Sequence, residues 1–348
     1  MEYEIELKLL TNQQAGDAIE TQLLLQLDAS VIQQTQILTN YYFDTPSRTL
    51  RQHDIGLRIR GNNQKFEQTL KTAGKSIGGL QQRPEYNVQL DELKNQDVAT
   101  PTPTPVPDLK LFPAAVWPST IDIDDLQTKI TTLFSTHFER KVYLLEFPHG
   151  DIVELVWDLG AVTSGNKSVP ICEIELELKK GSTAALFDLA RRIVSLIPTS
   201  IGTDSKAARG YKLLDASPAK EAQQQQQNLS ENLSLDPKTF VNVLTALLQD
   251  FQISSAEIRQ NYSVELVTNI KQTLTALVAN ILIFKRNFPC QSLEHIHMQL
   301  KILDNDWCVV TPQNDKNAIY NLLVKAQTTQ LQLDIVQCLV EQPWSFDA

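Results

Sequence analysis

The sequence predicts an α+β protein in which an antiparallel β-rich part precedes a small all-α part. Short runs of alternating apolar and polar residues dominate the first 215 positions, whereas apolar residues recur at helical spacing after residue 236. A polar stretch with a glutamine run at 223–227 separates the two patterns. We therefore expect a β domain at 1–215, a linker at 216–235 and a helical domain at 236–348.

Seven alternating runs predict β-strands, because a strand projects successive side chains from opposite faces. They lie at 3–10, 55–60, 66–70, 86–90, 141–147, 152–159 and 171–178. Two helical patterns interrupt them, at 13–27 and 183–196. The repeated prolines at 100–107 lack the N–H groups that a sheet ladder needs, so we expect an extended surface excursion there.

Four segments of the C-terminal part carry apolar residues at helical spacing. They lie at 240–251, 264–284, 293–303 and 318–339. In the second segment Thr268, Lys271 and Gln272 stand among the apolar positions. This interruption favours an amphipathic helix of a folded domain over a membrane span.

Composition limits the classes of partner. A net charge of −10 argues against non-specific binding to nucleic acid or to acidic lipid, since both select for a broad basic face. The acidic first residues do not resemble a signal peptide, so we expect a cytoplasmic protein without membrane attachment. The four cysteines show no Cys-x-x-Cys spacing, and neither zinc nor disulfides are expected.

Charged residues alternate within several of the predicted strands. Glu4, Glu6 and Lys8 therefore project from one face of the first strand. The same spacing relates Arg58 to Arg60, Glu67 to Lys71, Arg83 to Glu85, and Glu173 to Glu175 and Glu177. Solvated outer faces would explain one such strand, but paired arginines and alternating carboxylates in five strands favour charges that face inward. Such an interior must be a hydrated ligand tunnel, because buried charges need partners or metal.

The residue types in this tunnel point to phosphate chemistry. Arginine makes planar bidentate contacts with phosphate oxygens. Carboxylate oxygens without nitrogen or sulfur ligands suit the hard cations Mg²⁺ and Mn²⁺. Hydrolysis of a phosphoanhydride needs positioning, charge neutralisation and an activated water, but no covalent nucleophile. The sequence therefore predicts a metal-dependent phosphohydrolase that acts on a compact, highly charged phosphate chain.

The motif Glu4-x-Glu6-x-Lys8 resembles the signature of the CYTH superfamily, also called the triphosphate tunnel metalloenzymes. Further segments agree in order with its bacterial inorganic triphosphatase branch, at 53–60, 68–71, 82–86, 138–140, 157–160, 172–175 and 205–211. The resemblance covers residues 1–215. It implies an eight-stranded antiparallel β-tunnel flanked by helices, in which inorganic triphosphate is hydrolysed to pyrophosphate and phosphate.

The resemblance also implies roles, carried over position by position. Metal ligation, by two Mg²⁺ or Mn²⁺ ions per site, falls to Glu4, Glu6, Asp158, Glu173, Glu175 and Glu177. Substrate contact falls to Lys8, Arg58, Arg60, Lys71, Arg83, Arg140 and Lys206. Catalysis is assigned to Glu4, Glu6, Lys8, Lys71, Glu85 and Lys206. For Arg83 and Arg209 a structural ion pair remains an equal alternative.

Relatives in this branch often continue into a helical CHAD domain that is associated with polyphosphate. Here the corresponding region is short, and its histidines are limited to His295 and His297. We interpret it as a shortened CHAD-like remnant, for which a packing or dimerisation role is favoured; a homodimer is left open.

Several other functions remain as alternatives. The same kind of tunnel serves thiamine triphosphatases, nucleoside triphosphatases and adenylate cyclases, but no residues here look dedicated to adenine, and the segment 78–85 favours the inorganic triphosphatase branch. A non-catalytic polyphosphate-binding protein is the alternative from another class, and the intact carboxylates argue against it.

Overall fold

A computed structural model describes residues 2–62, 65–90, 106–215, 236–313 and 315–345. The linker predicted at 216–235 lies outside the described residues, as does most of the proline-rich stretch predicted to be a surface excursion.

Eight antiparallel strands close into a barrel, which confirms the predicted fold class. In chain order the strands are β1 (Glu2–Leu10), β2 (Ser30–Asp44), β3 (Gly56–Asn62), β4 (Lys65–Lys71), β5 (Lys75–Ile77), β6 (Leu80–Leu90), β7 (Thr131–Glu146), β8 (Ile152–Ser164), β9 (Lys167–Lys180) and β10 (Ser200–Ile201). Neighbours follow the order β1-β9-β8-β7-β2-β3-β4-β6, and β6 pairs again with β1. The short strands β5 and β10 extend the sheet beside β6 and β1.

Alternation within each strand separates an apolar outer surface from a charged interior. In β1, Leu7 and Leu9 are fully buried in an apolar cluster, while the intervening Lys8 lines the interior. A second apolar cluster, which includes Leu57 and Leu70, covers the β3–β4 side of the barrel. Apolar burial outside the barrel therefore stabilises the strands and leaves the inward positions available for polar side chains.

Short helices surround the barrel. They are α1 (Ala15–Ala18), α2 (Leu24–Gln26), α3 (Thr49–Gln52), α4 (Ile123–Lys129), α5 (Thr183–Leu196) and α6 (Lys206–Leu214). The helix predicted at 13–27 consists of α1 and α2 joined by a π-helical segment, Ile19–Leu23. The hydroxyl of Ser182 accepts a hydrogen bond from the backbone N–H of Ala184 and caps α5, as helix-capping preferences predict.

The C-terminal region is all-helical. Its helices are α7 (Pro237–Gln260), α8 (Val264–Asn287), α9 (Gln291–Val310), α10 (Lys316–Val324) and α11 (Ala326–Glu341). The prediction of one helix at 318–339 was wrong, because Lys325 adopts an extended backbone with ψ 137° that separates α10 from α11. The hydroxyl of Thr328 then donates a hydrogen bond to the carbonyl of Leu322, an acceptor near the end of α10.

Helix α8 is long and apolar enough, by length and composition alone, to cross a membrane. Core helices of folded domains meet the same criterion, so a single such helix is weak support for a span. Ile270, Leu277 and Phe284 of this helix are buried in the apolar cluster of the C-terminal region.

The helical region packs on the barrel through one continuous apolar cluster, which joins Leu7 and Leu9 of β1 to Phe240, Leu248 and Val336 of the helices. An ion pair adds to this contact, since Arg191 of α5 lies 2.8 Å from Asp334 of α11. The helices therefore share a core with the outer surface of the barrel. The assignment of 1–215 and 236–348 as separate domains stays a prediction.

The turn between β5 and β6 lies directly against α7 and α11. Gly78 and Gly79 have φ values of +53° and +101°, which favour glycine. A Cβ atom on Gly78 would lie 2.5 Å from Leu248 Cδ2 and 2.5 Å from Val336 Cγ2. The turn can therefore seat against α7 and α11 because it lacks a side chain.

We expect Gly78→Ala to destabilise the protein by about 2 kcal/mol more than Gly165→Ala. Gly165 is a matched control, since its φ is +58° and nothing lies within 4 Å of its Cβ position. Both variants incur left-handed backbone strain, but the first also overpacks the contact with Leu248 and Val336. Urea denaturation monitored by circular dichroism measures the difference, and equal losses would contradict the packing described for this turn.

Candidate functional site

The barrel encloses a charged cavity of ≈ 450 Å³. Its charged lining residues are Glu4, Glu6, Lys8, Arg58, Arg60, Glu67, Lys71, Arg83, Glu85, Arg140, Glu154, Glu175, Glu177, Lys179 and Lys206. All the predicted site residues except Asp158 and Glu173 are among them. These two carboxylates are fully buried and lie outside the cavity lining.

Strand register explains why the carboxylates of two distant segments meet. β1 pairs with β9 so that Glu6 lies opposite Glu177 and Lys8 lies opposite Glu175. Residues two apart share a face, so both strands present their alternating charges to the same interior. On the other side of β1, Glu4 lies opposite Arg83 of β6.

One end of the cavity is built around two buried lysines. Lys206, the first residue of α6, places its Nζ 2.6 Å from Asp158, 2.5 Å from Glu173 and 3.1 Å from Glu175. Lys8 contacts Glu175 directly, and its Nζ lies 3.5 Å from Glu173. The two lysines therefore share the same carboxylates.

Two arginines complete this buried ion cluster. Arg140 donates two hydrogen bonds to Asp158, at 2.7 and 2.6 Å, and a third to Glu175 at 2.9 Å. Arg209 pairs with Glu173. This contact places Arg209 in a structural ion pair, one of the two alternatives that the sequence left open for it.

Attraction within the ion cluster favours the charged forms of Glu175 and Lys8. Burial opposes ionisation of Glu175, but the charges of Lys206, Lys8 and Arg140 lower the pKa of this carboxyl well below its usual range. Burial likewise opposes the charge of Lys8, and the nearby carboxylates raise its pKa nonetheless. Asp158, Glu173 and Glu175 have carboxylate oxygens within 4.8 Å of one another, a spacing that could hold a metal ion, but lysine and arginine nitrogens already contact these oxygens.

A second group of carboxylates, Glu4, Glu6 and Glu177, faces the cavity with fewer cationic partners. Glu4 contacts Lys71, and Glu177 lies 2.7 Å from Lys179. The Glu6 carboxylate makes neither a hydrogen bond nor an ion pair with any residue in the described ranges. Burial is the largest influence on Glu6 and raises the pKa of its carboxyl despite the attraction of Lys8. These three cavity-facing carboxylates supply oxygen ligands of the type that a hard divalent cation prefers.

The opposite wall of the cavity carries excess positive charge. The Arg60 Nε donates a hydrogen bond to Asn40 at 3.0 Å, and within the described ranges no carboxylate forms an ion pair with Arg60. Burial, together with the neighbouring Arg58 and Arg140, lowers the pKa of Arg60 to about 9. A guanidinium in this position gains from an anionic ligand, because such a ligand relieves the repulsion between the arginines.

Lys71 and Glu85 join the two walls. The Lys71 Nζ contacts Glu4 and lies 3.2 Å from Glu85, which in turn lies 3.6 Å from Arg58. Burial opposes ionisation of Glu85, but Lys71 and Arg58 lower the pKa of its carboxyl to about 2. Glu85 is therefore ionised at neutral pH and suited to orient these two cations. Arg83 lines the cavity without an ion pair to any described residue.

The predicted site lacked Glu154, Lys179 and Tyr42, which line the cavity, and Asn40, which accepts the hydrogen bond of Arg60. Glu154 shares a face of β8 with Asp158, so the alternation of the predicted strand could have identified it. Asn40 and Tyr42 belong to β2, a strand that the sequence analysis did not find.

The sequence model of one protein family, the CYTH domain, matches residues 2–211. The inorganic triphosphatase of Haemophilus influenzae is 37% identical over 210 residues, which cover 60% of this chain and 54% of that protein. The chain thus spans about half the length of this curated relative.

Solved structures resemble the chain more remotely. The PH1819 protein of Pyrococcus horikoshii is 17% identical with a TM-score of 0.37, covering 60% of this chain and 98% of that one. A proposed adenylyl cyclase of Hippeastrum with a dominant triphosphatase activity is 19% identical with a TM-score of 0.40, covering 60% of this chain and 95% of that one.

The two groups of carboxylates should respond oppositely to neutralisation in metal-free buffer at pH 7. We expect Glu6→Gln to stabilise the fold by about 1 kcal/mol, because burial disfavours the charged form. Glu175→Gln should destabilise it by about 3 kcal/mol, because Lys8 and Lys206 lose a buried partner. Urea denaturation with EDTA measures both values.

The pH dependence of the stability difference between Glu6→Gln and wild type provides the control for this variant. When a carboxyl has a higher pKa in the folded than in the unfolded protein, the free energy of unfolding falls as the pH rises above the unfolded-state pKa. The stability advantage of Glu6→Gln should therefore vanish below about pH 4, where glutamate is protonated in both states. A Glu6→Gln protein that is less stable than wild type at pH 7 would contradict the uncompensated environment of Glu6.

Proposed function

The chain belongs to the CYTH domain family, and we propose that its barrel hydrolyses inorganic triphosphate to pyrophosphate and phosphate with a divalent metal ion. One observation carries the proposal: a single cavity holds an uncompensated arginine, Arg60, and an uncompensated carboxylate, Glu6. A phosphate chain and a divalent cation together would neutralise both. The name of the curated relative, inorganic triphosphatase, agrees with this pairing of charges.

The substrate is assigned to the cationic wall. Arg58, Arg60 and Arg140 offer planar donors that suit phosphate oxygens, and Arg83 provides a further cation at the cavity surface. Triphosphate is compact and highly charged, which matches an enclosed cavity of ≈ 450 Å³ lined mainly by charged side chains. Lys8, Lys71 and Lys206 add point charges along the same lining.

The metal, Mg²⁺ or Mn²⁺, is assigned to Glu4, Glu6 and Glu177. When bound, such an ion would neutralise phosphate oxygens and orient the attacking water. Glu175, whose oxygens contact Lys8, Lys206 and Arg140, borders this group. The proposal thereby reduces the six expected metal ligands to three. The number of bound ions is left to experiment.

Asp158 and Glu173 receive a positioning role instead. They lie behind the lining and contact Lys206, Arg140 and Arg209. Burial opposes the charge of Lys206, but Asp158 and Glu173 raise the pKa of its ammonium group. The lysine therefore stays protonated and can stabilise charge on the phosphate oxygens throughout the reaction.

Phosphate release by the purified protein tests the proposal directly. The substrates are triphosphate, ATP, thiamine triphosphate and long-chain polyphosphate, each with Mg²⁺, Mn²⁺ or EDTA. We expect metal-dependent cleavage of triphosphate, and we expect a folded Glu4→Gln variant to lose it. Preference for ATP or thiamine triphosphate would replace the assigned substrate, and binding without any cleavage would favour a polyphosphate-binding protein. Full activity in EDTA would remove the metal.

Arg60→Ala should weaken triphosphate binding by roughly 100-fold without destabilising the ligand-free fold. The reason is that Arg60 has no carboxylate partner to leave unpaired, while its removal relieves repulsion with Arg58 and Arg140. Calorimetric titration with triphosphate in EDTA measures affinity. Arg192→Ala, which removes an exposed cation outside the barrel interior, is the control for net charge. Unchanged affinity in Arg60→Ala would place the phosphate chain elsewhere.

A further inference from the structure

The helical region reaches the barrel beside the loop that leads to Lys206. The hydroxyl of Thr329 in α11 donates a hydrogen bond to the carbonyl of Thr199 at 2.8 Å. The Arg259 Nη2 of α7 donates to the hydroxyl of Ser200 at 3.1 Å. Helices α7 and α11, which contribute no residue to the cavity lining, therefore form hydrogen bonds with Thr199 and with Ser200 at the start of the short strand β10.

Strand β10 transmits this contact to Lys8. Ile201 and Ser200 pair with Leu9 and Leu10 of β1, directly after Lys8. The next residue, Gly202, donates its backbone N–H to the carbonyl of Lys8 at 2.9 Å. A Cβ atom on Gly202 would lie 2.9 Å from the Lys8 Cγ, so the loop backbone lies directly against the lysine side chain.

The same loop delivers Lys206 to the cavity. It runs from Gly202 to Ser205, whose hydroxyl caps α6 by accepting from the N–H of Ala208 at 3.0 Å. Gln81 on the cavity lining donates to the carbonyl of Thr203 at 3.3 Å, so β6 holds the loop from a second side.

The helical region also fixes the start of β6. Gln252 of α7 donates to the carbonyl of Gly78 at 3.1 Å, at the turn from which β6 leads to Gln81. Both supports of the loop, β10 and β6, are therefore tied to the helices. The contacts converge on Lys8 and Lys206, the two lysines of the buried ion cluster.

We propose that the helical region is a positioning element for the phosphate site, in which Thr329 sets the loop 199–206 and thereby the placement of Lys8 and Lys206. This inference rests on the proposed function. Thr329 is fully buried, so water cannot replace its hydrogen bond to Thr199. Catalysis by fixed charges depends on sub-ångström placement, and a small displacement of two lysines is enough to slow it.

Thr329→Val in the full-length chain tests this role, because valine keeps the shape and removes the donor. Thr328→Val is the matched control: it is the preceding residue of α11, is also buried, and bonds to Leu322 within the helical region. Thr329→Ser restores the hydroxyl and should restore the function.

Two measurements separate positioning from general destabilisation. We expect the kcat for triphosphate to fall about tenfold in Thr329→Val relative to Thr328→Val, at a similar loss of stability. We expect amide hydrogen exchange at Gly202 to accelerate about tenfold in Thr329→Val alone. Should Thr329→Val fail to fold, Arg259→Met takes its place, with Arg191→Met as a control that breaks a helix–barrel contact away from the loop.

Equal kcat values in Thr329→Val and Thr328→Val would overturn the positioning role, even if exchange at Gly202 differed. Equal exchange rates would overturn the mechanical link from Thr329 to the loop. If the wild-type protein does not cleave triphosphate, the proposed function fails, and exchange at Gly202 alone then decides whether the helices set the loop.

Discussion

The barrel depends on neutralising charge in its own interior. Lys8 and Lys206 are both buried, and a buried ammonium group stays protonated in the folded protein only when carboxylates lie within ion-pair distance. Asp158, Glu173 and Glu175 supply those carboxylates, and Arg140 balances them in turn. The result is a closed electrostatic network at one end of the cavity, and Arg60 and Glu6, to which the proposed phosphate and metal ligands are assigned, lie outside it.

Two glutamates of the cavity, Glu175 and Glu6, lie in different electrostatic surroundings. Cations that the fold provides stabilise the charged form of Glu175, whereas the half-buried Glu6 forms no ion pair within the described ranges and burial disfavours its charged form. The alternating strand β9 opposite β1 brings both environments within one cavity. The position of a glutamate along the barrel therefore decides whether its charged form is stabilised.

The sequence predicts much of this arrangement, for identifiable reasons. Alternation in β1, β3, β4, β6 and β9 identified the charged faces, because the two-residue period is a property of the strand itself. It could not separate Glu173 from Glu175 and Glu177, since all three share a face and only the stagger of neighbouring strands decides which of them reaches the cavity. Whether a carboxylate of the described ranges pairs with Arg60 depends on strands that are remote in sequence, and no local pattern records it.

Strand β2 escaped prediction for a different reason. Its first half, with Val31, Ile32 and Ile37, is exposed, so apolar and polar positions do not alternate with burial as in a typical half-buried strand. It is defined instead by its long antiparallel pairing with β7. The helical segments were easier to find, and the break at Lys325 was missed because the apolar spacing continues across it.

The pairing of β1 also bears on how the molecule assembles. Lys8 and its partner Glu173 are 165 residues apart in the chain, and the ring closes only when β1 meets β6 and β9. Contacts between such remote segments incur a large loop-closure entropy and form slowly. A nascent chain can pair β1 with β6, but the other edge of β1 stays unpaired until β9 has been synthesised. Completion of the barrel and creation of the proposed phosphate site are consequently one late folding event.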